Sequence, residues 1–219
     1  MKINEKFALF YGIMLGDGCI SKIGSCSFIS ISCNFHSDRP FVKRILPLLT
    51  EIRGKKVKAY DRIKYGKIEI IFSDKPLFNH LKKLGFPVGK KGPTLSILKE
   101  FKFYMKQVTQ GFLATDGCVI VINNNETVYP RIEFSSISKQ LLEQFRSYII
   151  SCGINCNVYL SHKKNSKWHP KYRLQINGKK NLVAFKEKIG FINPKHQQKY
   201  EDYINNRIVI EMFKKETEG

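Results

Sequence analysis

The sequence predicts an α+β fold of two pseudo-symmetric halves. Each half runs helix, strand, strand, helix, strand, strand, helix, with its four strands in one antiparallel sheet. Three observations predict this. The stretch Phe10-Tyr11-Gly12-Ile13-Met14-Leu15-Gly16-Asp17-Gly18-Cys19-Ile20 returns as Thr109-Gln110-Gly111-Phe112-Leu113-Ala114-Thr115-Asp116-Gly117-Cys118-Val119, with Gly, Asp, Gly and Cys at equal offsets. Behind each copy come segments in which apolar and polar residues alternate, the pattern of half-buried strands. A Gly-Phe pair then closes each half, Gly85-Phe86 and Gly190-Phe191. So long a period in a chain of 219 residues means two similar halves and not a solenoid of many units.

Each repeated stretch reads as a helix that ends at its aspartate. Ala8, Gly12 and Gly16 fall on one helical stripe, and Val108, Gly111 and Thr115 repeat it. Glycine inside a helix costs about 1 kcal/mol relative to alanine, so two such helices need a compensating reason. Close backbone approach is that reason, because a stripe of small residues lets two helices nearly touch. If the two helices pack on each other, Asp17 and Asp116 arrive side by side. Gly18 and Gly117 are expected to turn out of the helices in the left-handed conformation. The last carbonyls, including those of Gly16 and Thr115, lack intrahelical partners. Two carboxylates and two carbonyls at the negative ends of two helix dipoles form a site for cations. The ligands are hard oxygens, which suit magnesium and not zinc.

The remaining elements follow in order. Phe28 to Asn34 alternates, with Ile29, Ile31 and Cys33 on one face and Ser30, Ser32 and Asn34 on the other; its partner is Cys19 to Ile23. Asp38 is expected to cap a helix with Pro40 in its first turn and Phe41, Ile45, Leu48 and Leu49 facing the core. Val57 to Lys64 alternates again, placing Lys58, Tyr60, Arg62 and Lys64 on one face. Tyr65-Gly66-Lys67 turns the chain into a strand over Ile68 to Ser73, and a short helix spans Lys75 to Leu84. In the second half, strands are expected at Cys118 to Ile122 and Arg131 to Ser135, and Ser138 caps a helix over Gln140 to Ser151. The next strand pair is Asn157 to Ser161 and Tyr172 to Asn177, and Leu182 to Ile189 matches the short helix of the first half. A C-terminal helix from about Gln197 to Lys214 has no counterpart. The halves are therefore residues 1–92 and 105–219, joined by a linker over 93–104.

A four-stranded sheet with its helices on one face leaves the other face bare. Here that face is basic. The chain carries 38 Lys and Arg against 18 Asp and Glu, a formal charge of +20, and such an excess attracts polyanions, nucleic acid first. No apolar run approaches the ~18 residues of a spanning helix, and no secretory signal opens the chain, so an intracellular protein without a membrane is expected. Hydrophobic residues make up 42% of the chain, enough for a packed core. The six cysteines lack metal-type spacing and read as small buried residues in a reducing compartment. Two sheets side by side would form a long basic saddle whose strands lie in the major groove. The residues expected to face DNA are Ser30, Ser32, Asn34, Lys58, Tyr60, Arg62, Lys64 and Lys67 in the first half. In the second they are Arg131, Glu133, Tyr159, Ser161, Lys163, Arg173 and Gln175.

Both repeated stretches resemble the LAGLIDADG motif of homing endonucleases, in the variants FYGIMLGDG and TQGFLATDG. Two motifs in one chain resemble the monomeric, pseudo-symmetric form of that family. The resemblance implies double-strand DNA cleavage at a long, partly asymmetric site, with one acidic residue serving each strand and no obligate protein partner. It implies Asp17 and Asp116 as catalytic and metal-holding residues with Mg2+ or Mn2+, and Ca2+ as a non-productive substitute. Lys90 and Lys195 resemble the family's basic residue beyond each half's last helix and would stabilise charge at the scissile phosphate. His36 reads as a surface histidine, with Ser136 as its counterpart. The same family includes RNA maturases and non-cleaving DNA-binding regulators, so both stand as alternatives.

Overall fold

The computed structural model describes residues 2–124, 127–162 and 168–205. The first half comprises α1 (Glu5–Leu15), β1 (Gly18–Ile23), β2 (Cys26–Asn34), α2 (Arg39–Arg53), β3 (Ala59–Arg62), β4 (Lys67–Ser73) and α3 (Lys75–Leu84). The second comprises α4 (Met105–Asp116), β5 (Gly117–Asn124), β6 (Thr127–Ser136), α5 (Lys139–Ser151), β7 (Asn157–His162), β8 (Lys171–Asn177), α6 (Lys179–Lys188) and α7 (Pro194–Ile204). Each half holds one antiparallel four-stranded sheet, ordered β1-β2-β4-β3 and β5-β6-β8-β7. The expected α+β fold with two like halves is the observed one. Residues 206–214 of the expected C-terminal helix lie outside the described residues.

The alternating strands sort their side chains as the pattern requires. Ile29, Ile31 and Cys33 of β2 and Ile68, Ile70 and Phe72 of β4 are buried under Phe41, Ile45 and Leu49 of α2 and Leu77, Phe78 and Leu81 of α3. Each such burial stabilises by about 1.5–3 kcal/mol before conformational entropy is subtracted. In the second half Phe112, Phe134 and Phe145 stack at centroid separations of 4.8 to 6.0 Å. Ser138 accepts from the amide of Leu141 and so caps α5. Asp38 departs from its expected role. Its carboxylate makes no cap hydrogen bond on α2; it accepts from the Asn34 amide at 3.0 Å. Lys64 also departs, since β3 stops at Arg62 and Ile63–Tyr65 form a 3-10 turn that takes Lys64 off the strand face.

Helices α1 and α4 form the seam between the halves. Eight of the eleven α1 residues are buried, consistent with a helix apolar all round and enclosed by protein. The glycine stripe is the contact: a Cβ on Gly12 would collide with the Val108 carbonyl, one on Gly111 with the Leu9 carbonyl, and one on Gly16 with Thr115. Gly18 and Gly117 are not left-handed, contrary to expectation; Gly117 is extended at φ −122°. They are required for another reason. A Cβ on Gly18 would strike Met14 and one on Gly117 would strike Leu113, because the chain folds straight back over the last helical turn. The connector is strapped across the seam. Tyr11 stacks on Phe101 at 3.8 Å, its hydroxyl accepts from the Leu98 amide, and Gln144 of α5 bonds both backbone groups of Ile97.

Candidate active site and nucleic-acid interface

Asp17 lies half-buried in the turn after α1, and Asp116 is the last residue of α4. Burial, then the nearby charge of Asp116, push the Asp17 carboxyl up to about 7. Asp116 is exposed to solvent at the mouth of the seam, yet the protein packed around it still raises its carboxyl, against the pull of Lys91 and Lys171. The two carboxylates are thus brought together as the repeat requires, and their site favours cations.

A lysine shows where a cation sits. Lys91 Nζ donates to the carbonyls of Leu15 at 2.9 Å, Met14 at 3.2 Å and Gly16, the free ends of α1. Burial holds this amine below the ordinary lysine range, while Asp116 and Asp17 pull it back up. Its place follows from the backbone: the Gly89 amide donates to the Ile20 carbonyl at 2.8 Å and lays residues 86–92 along β1. Lys90, the residue expected in the site, is exposed. The offset from Gly-Phe points to Lys90, one residue before Lys91.

At the end of α4 the device differs. Asn193 Nδ2 donates to the Ala114 carbonyl at 2.9 Å. Lys195 reaches into the first half and pairs with Asp38 at 2.6 Å. Burial pushes Asp38 up, but the bonds from Lys195 and the Asn34 amide outweigh it and leave the carboxyl below its usual range. His196 is buried beside this pair, with neither ring nitrogen bonded among the described residues. Burial, then Lys195 and Lys199, hold it neutral, down to about 3. Thr115 spends its hydroxyl on the Gly111 and Phe112 carbonyls. His36 is an exposed residue.

A hard divalent cation fits this donor set. Its protein ligands would be the Asp17 and Asp116 carboxylates and helix-end carbonyls such as that of Gly16, where an ammonium already sits. Among the described residues no group of three or more His, Cys, Asp or Glu could hold a metal, so other oxygens must complete the shell.

The open sheet faces carry the expected readers, organised by carboxylates. In the second half Glu133, only 6% exposed, holds Arg173 at 3.1 Å, Gln175 at 3.0 Å and Arg131 at 3.9 Å. In the first half Glu69 holds Arg62 at 2.9 Å and Lys67 at 3.0 Å. Ser32 and Asn34 are exposed on β2, and Ser30 on the same face is half-buried; Asn34 also spends its side-chain carbonyl on the amides of His36 and Ser37. Lys58, Tyr60 and Lys64 are exposed at the outer edge, as is Tyr159, while Ser161 bonds His162. Lys163 lies outside the described residues. Among the described residues no helix is long and apolar enough to cross a membrane.

Residues 107–190 match the family model of a LAGLIDADG-like domain. Among solved structures, the LAGLIDADG meganuclease I-AabMI bound to uncleaved DNA aligns over 96% of this chain and 92% of its own, at 14% identity and a TM-score of 0.61. The chain has the two-motif LAGLIDADG fold. I-DmoI in complex with DNA and Ca aligns over 84% of this chain and 88% of its own, at 16% identity and a TM-score of 0.59; single-substitution variants of I-DmoI were also solved with target DNA in the presence of Mn or Mg. The replicative DNA helicase DnaB of Rhodothermus marinus is 23% identical over 89% of this chain. The chain spans 21% of that helicase and 10 to 14% of two further curated relatives.

Proposed function

We propose that this chain is a site-specific double-strand DNA endonuclease that cleaves phosphodiester bonds with divalent metal ions, Mg2+ in the first place. The observation that carries the reading is the convergence of Asp17 and Asp116 at the ends of two glycine-packed helices, beneath two basic sheet faces. A pure DNA binder has no use for two neighbouring carboxylates facing phosphate, because they repel the ligand. Endonucleases of the same fold, among them I-DmoI, have been solved on target DNA with Ca, Mn or Mg.

The halves, residues 1–92 and 105–219 joined by 93–104, would each approach the duplex from one side. Bound ions would supply the Lewis acidity that activates water and steadies the leaving oxygen in an in-line displacement. Asp17 and Asp116 hold that charge in place. Lys91 offers an ammonium between them for the developing phosphate charge. Arg131, Arg173 and Gln175, fixed by Glu133, present base-reading groups in a rigid array. One chain carries both aspartates, so no second copy is required.

The test is a cleavage selection on a randomised duplex library with Mg2+, run with the wild type and with Asp17→Asn/Asp116→Asn together. The wild type should recover one recurrent long site cut on both strands. The double variant should bind that site and leave it intact. Near wild-type cutting by the double variant would remove the two aspartates from catalysis and the nuclease reading with them.

A further inference from the structure

The two ends of the seam are not equivalent. At the Asp116 end a cavity of about 280 Å³ opens between the halves, lined by Lys91, Lys171, Ser135 and Ser136 beside Asp116. Beside the apolar Leu15, Leu95 and Ile137, the Lys171 ammonium and the Ser135 and Ser136 hydroxyls can each donate a hydrogen bond, which suits an oxyanion. Lys171 starts β8, and among the described residues no carboxylate pairs with it. The sequence hides it, because the alternation alone begins the strand at Tyr172.

Strand register identifies the counterparts at the Asp17 end. Cys19 faces Ser30 as Cys118 faces Glu133, so Ser32 and Cys33 match Ser135 and Ser136, and Cys33, not the expected His36, is the counterpart of Ser136. Cys33 pairs with Ile68 as Ser136 pairs with Tyr172, so Lys67 matches Lys171. Cys33 is a weaker donor than the serine it replaces, and it is buried. Lys67 is tied to Glu69 at 3.0 Å. The lysine that crosses from the other half, Lys195, is tied to Asp38 at 2.6 Å. At the Asp116 end Lys171 has no carboxylate partner among the described residues, while Lys91 is anchored on the α1 carbonyls; at the Asp17 end both lysines are already neutralised by carboxylates.

We propose, on the nuclease reading above, that Lys171, with Ser135 and Ser136, forms a scissile-phosphate cradle for one strand only and is a catalytic residue, so that the duplex is cut in a fixed order beginning at Asp116. Turning Lys171 onto a phosphate leaves no paired carboxylate stranded. Turning Lys67 or Lys195 onto a phosphate strands Glu69 or the buried Asp38, which opposes the step. The Asp17 end therefore loads second.

The experiment uses the duplex that the wild type recovers from the randomised library, labelled differently on each strand, in single turnover with Mg2+. The wild type should nick one strand first. Lys171→Met should slow that nick by roughly tenfold or more while leaving cleavage of the other strand, measured on a pre-nicked duplex, within about twofold. Ethylation interference on the uncut complex in Ca2+ should find one phosphate of the first-cut strand that the wild type needs and Lys171→Met does not. Lys171 is exposed at the start of β8, and unchanged circular dichroism confirms that the variant folds. Equal slowing of both strands, or of neither, would overturn the cradle and leave the nuclease reading standing. A wild type that cuts no duplex would overturn the reading beneath it and the cradle too.

Discussion

Lys195 of the second half closes on Asp38 of the first, Nζ to Oδ1 at 2.6 Å. The pair joins α7 to the start of α2 and clamps the halves together behind Asp17. Asp38 is 7% exposed, so losing its partner strands a charge in a poorly solvated place. Lys195→Met should therefore destabilise by ~2–3 kcal/mol, measured by urea unfolding. Asp38→Asn removes the buried carboxylate charge and leaves the more exposed Lys195 ammonium to reach solvent, so it should cost less. A double variant more stable than Lys195→Met alone is the expected signature; additive losses would show that the pair contributes nothing specific.

Gly12 and Gly111 provide a second test of the seam. An interior glycine changed to alanine in an exposed helix gains up to ~1 kcal/mol. Here the new methyl meets backbone on the facing helix, so the sign should reverse and each change should cost ~1–3 kcal/mol or more. Gly92→Ala, where a Cβ meets nothing within 4 Å, is the control and should be neutral. Thermal unfolding of the three variants decides it.

The seam was legible because close helix approach demands small residues at fixed spacing, and that demand is written into the chain twice. The sheets were legible for a similar reason: one buried face forces strict alternation. The site was legible only in its carboxylates. Lys91 and Lys171 act through backbone placement, the Gly89–Ile20 contact and the β6–β8 register, which link residues far apart in sequence. Asp38 read as a helix cap because Asp before Pro40 usually is one; the cross-half lysine that claims its carboxylate has no local signal.

Glu133 sets the geometry of three readers at once. Glu133→Gln keeps the shape but removes the charge that holds Arg131, Arg173 and Gln175. Those side chains should then sample more orientations. A library selection should show relaxed preference at the few base pairs this sheet faces, by ~1–3 kcal/mol per position, with the other half-site unchanged. A uniform loss across the whole site would make Glu133 a structural residue only.

The last prediction concerns pH in the metal-free protein. Asp17 titrates near 7 when folded, against 3.8 for an ordinary aspartate, so the folded state holds this proton more tightly than the unfolded chain. Unfolding between those values releases the proton, and stability is lost as pH rises through about 7. Burial raises Asp116 too, and it acts in the same direction. The lowered carboxyls of Asp38 and Glu69 change stability only below the ordinary carboxylate range. His196 works oppositely: it is held down to about 3, so the unfolded chain gains its proton below about 6.5 and stability falls there as pH drops. His80, also held down by burial, acts as His196 does, so between pH 6.5 and 8 in EDTA the Asp17 contribution is read against Asp17→Asn, in which both histidines are unchanged. There the wild-type melting temperature should fall relative to that of Asp17→Asn as pH rises, by about 2–4 °C. Divalent ions bind the ionised carboxylates, so Mn2+ or Ca2+ should raise the wild-type melting temperature more at pH 8 than at pH 6.5. A wild-type slope unchanged by Asp17→Asn would show that this carboxyl is ionised throughout the window.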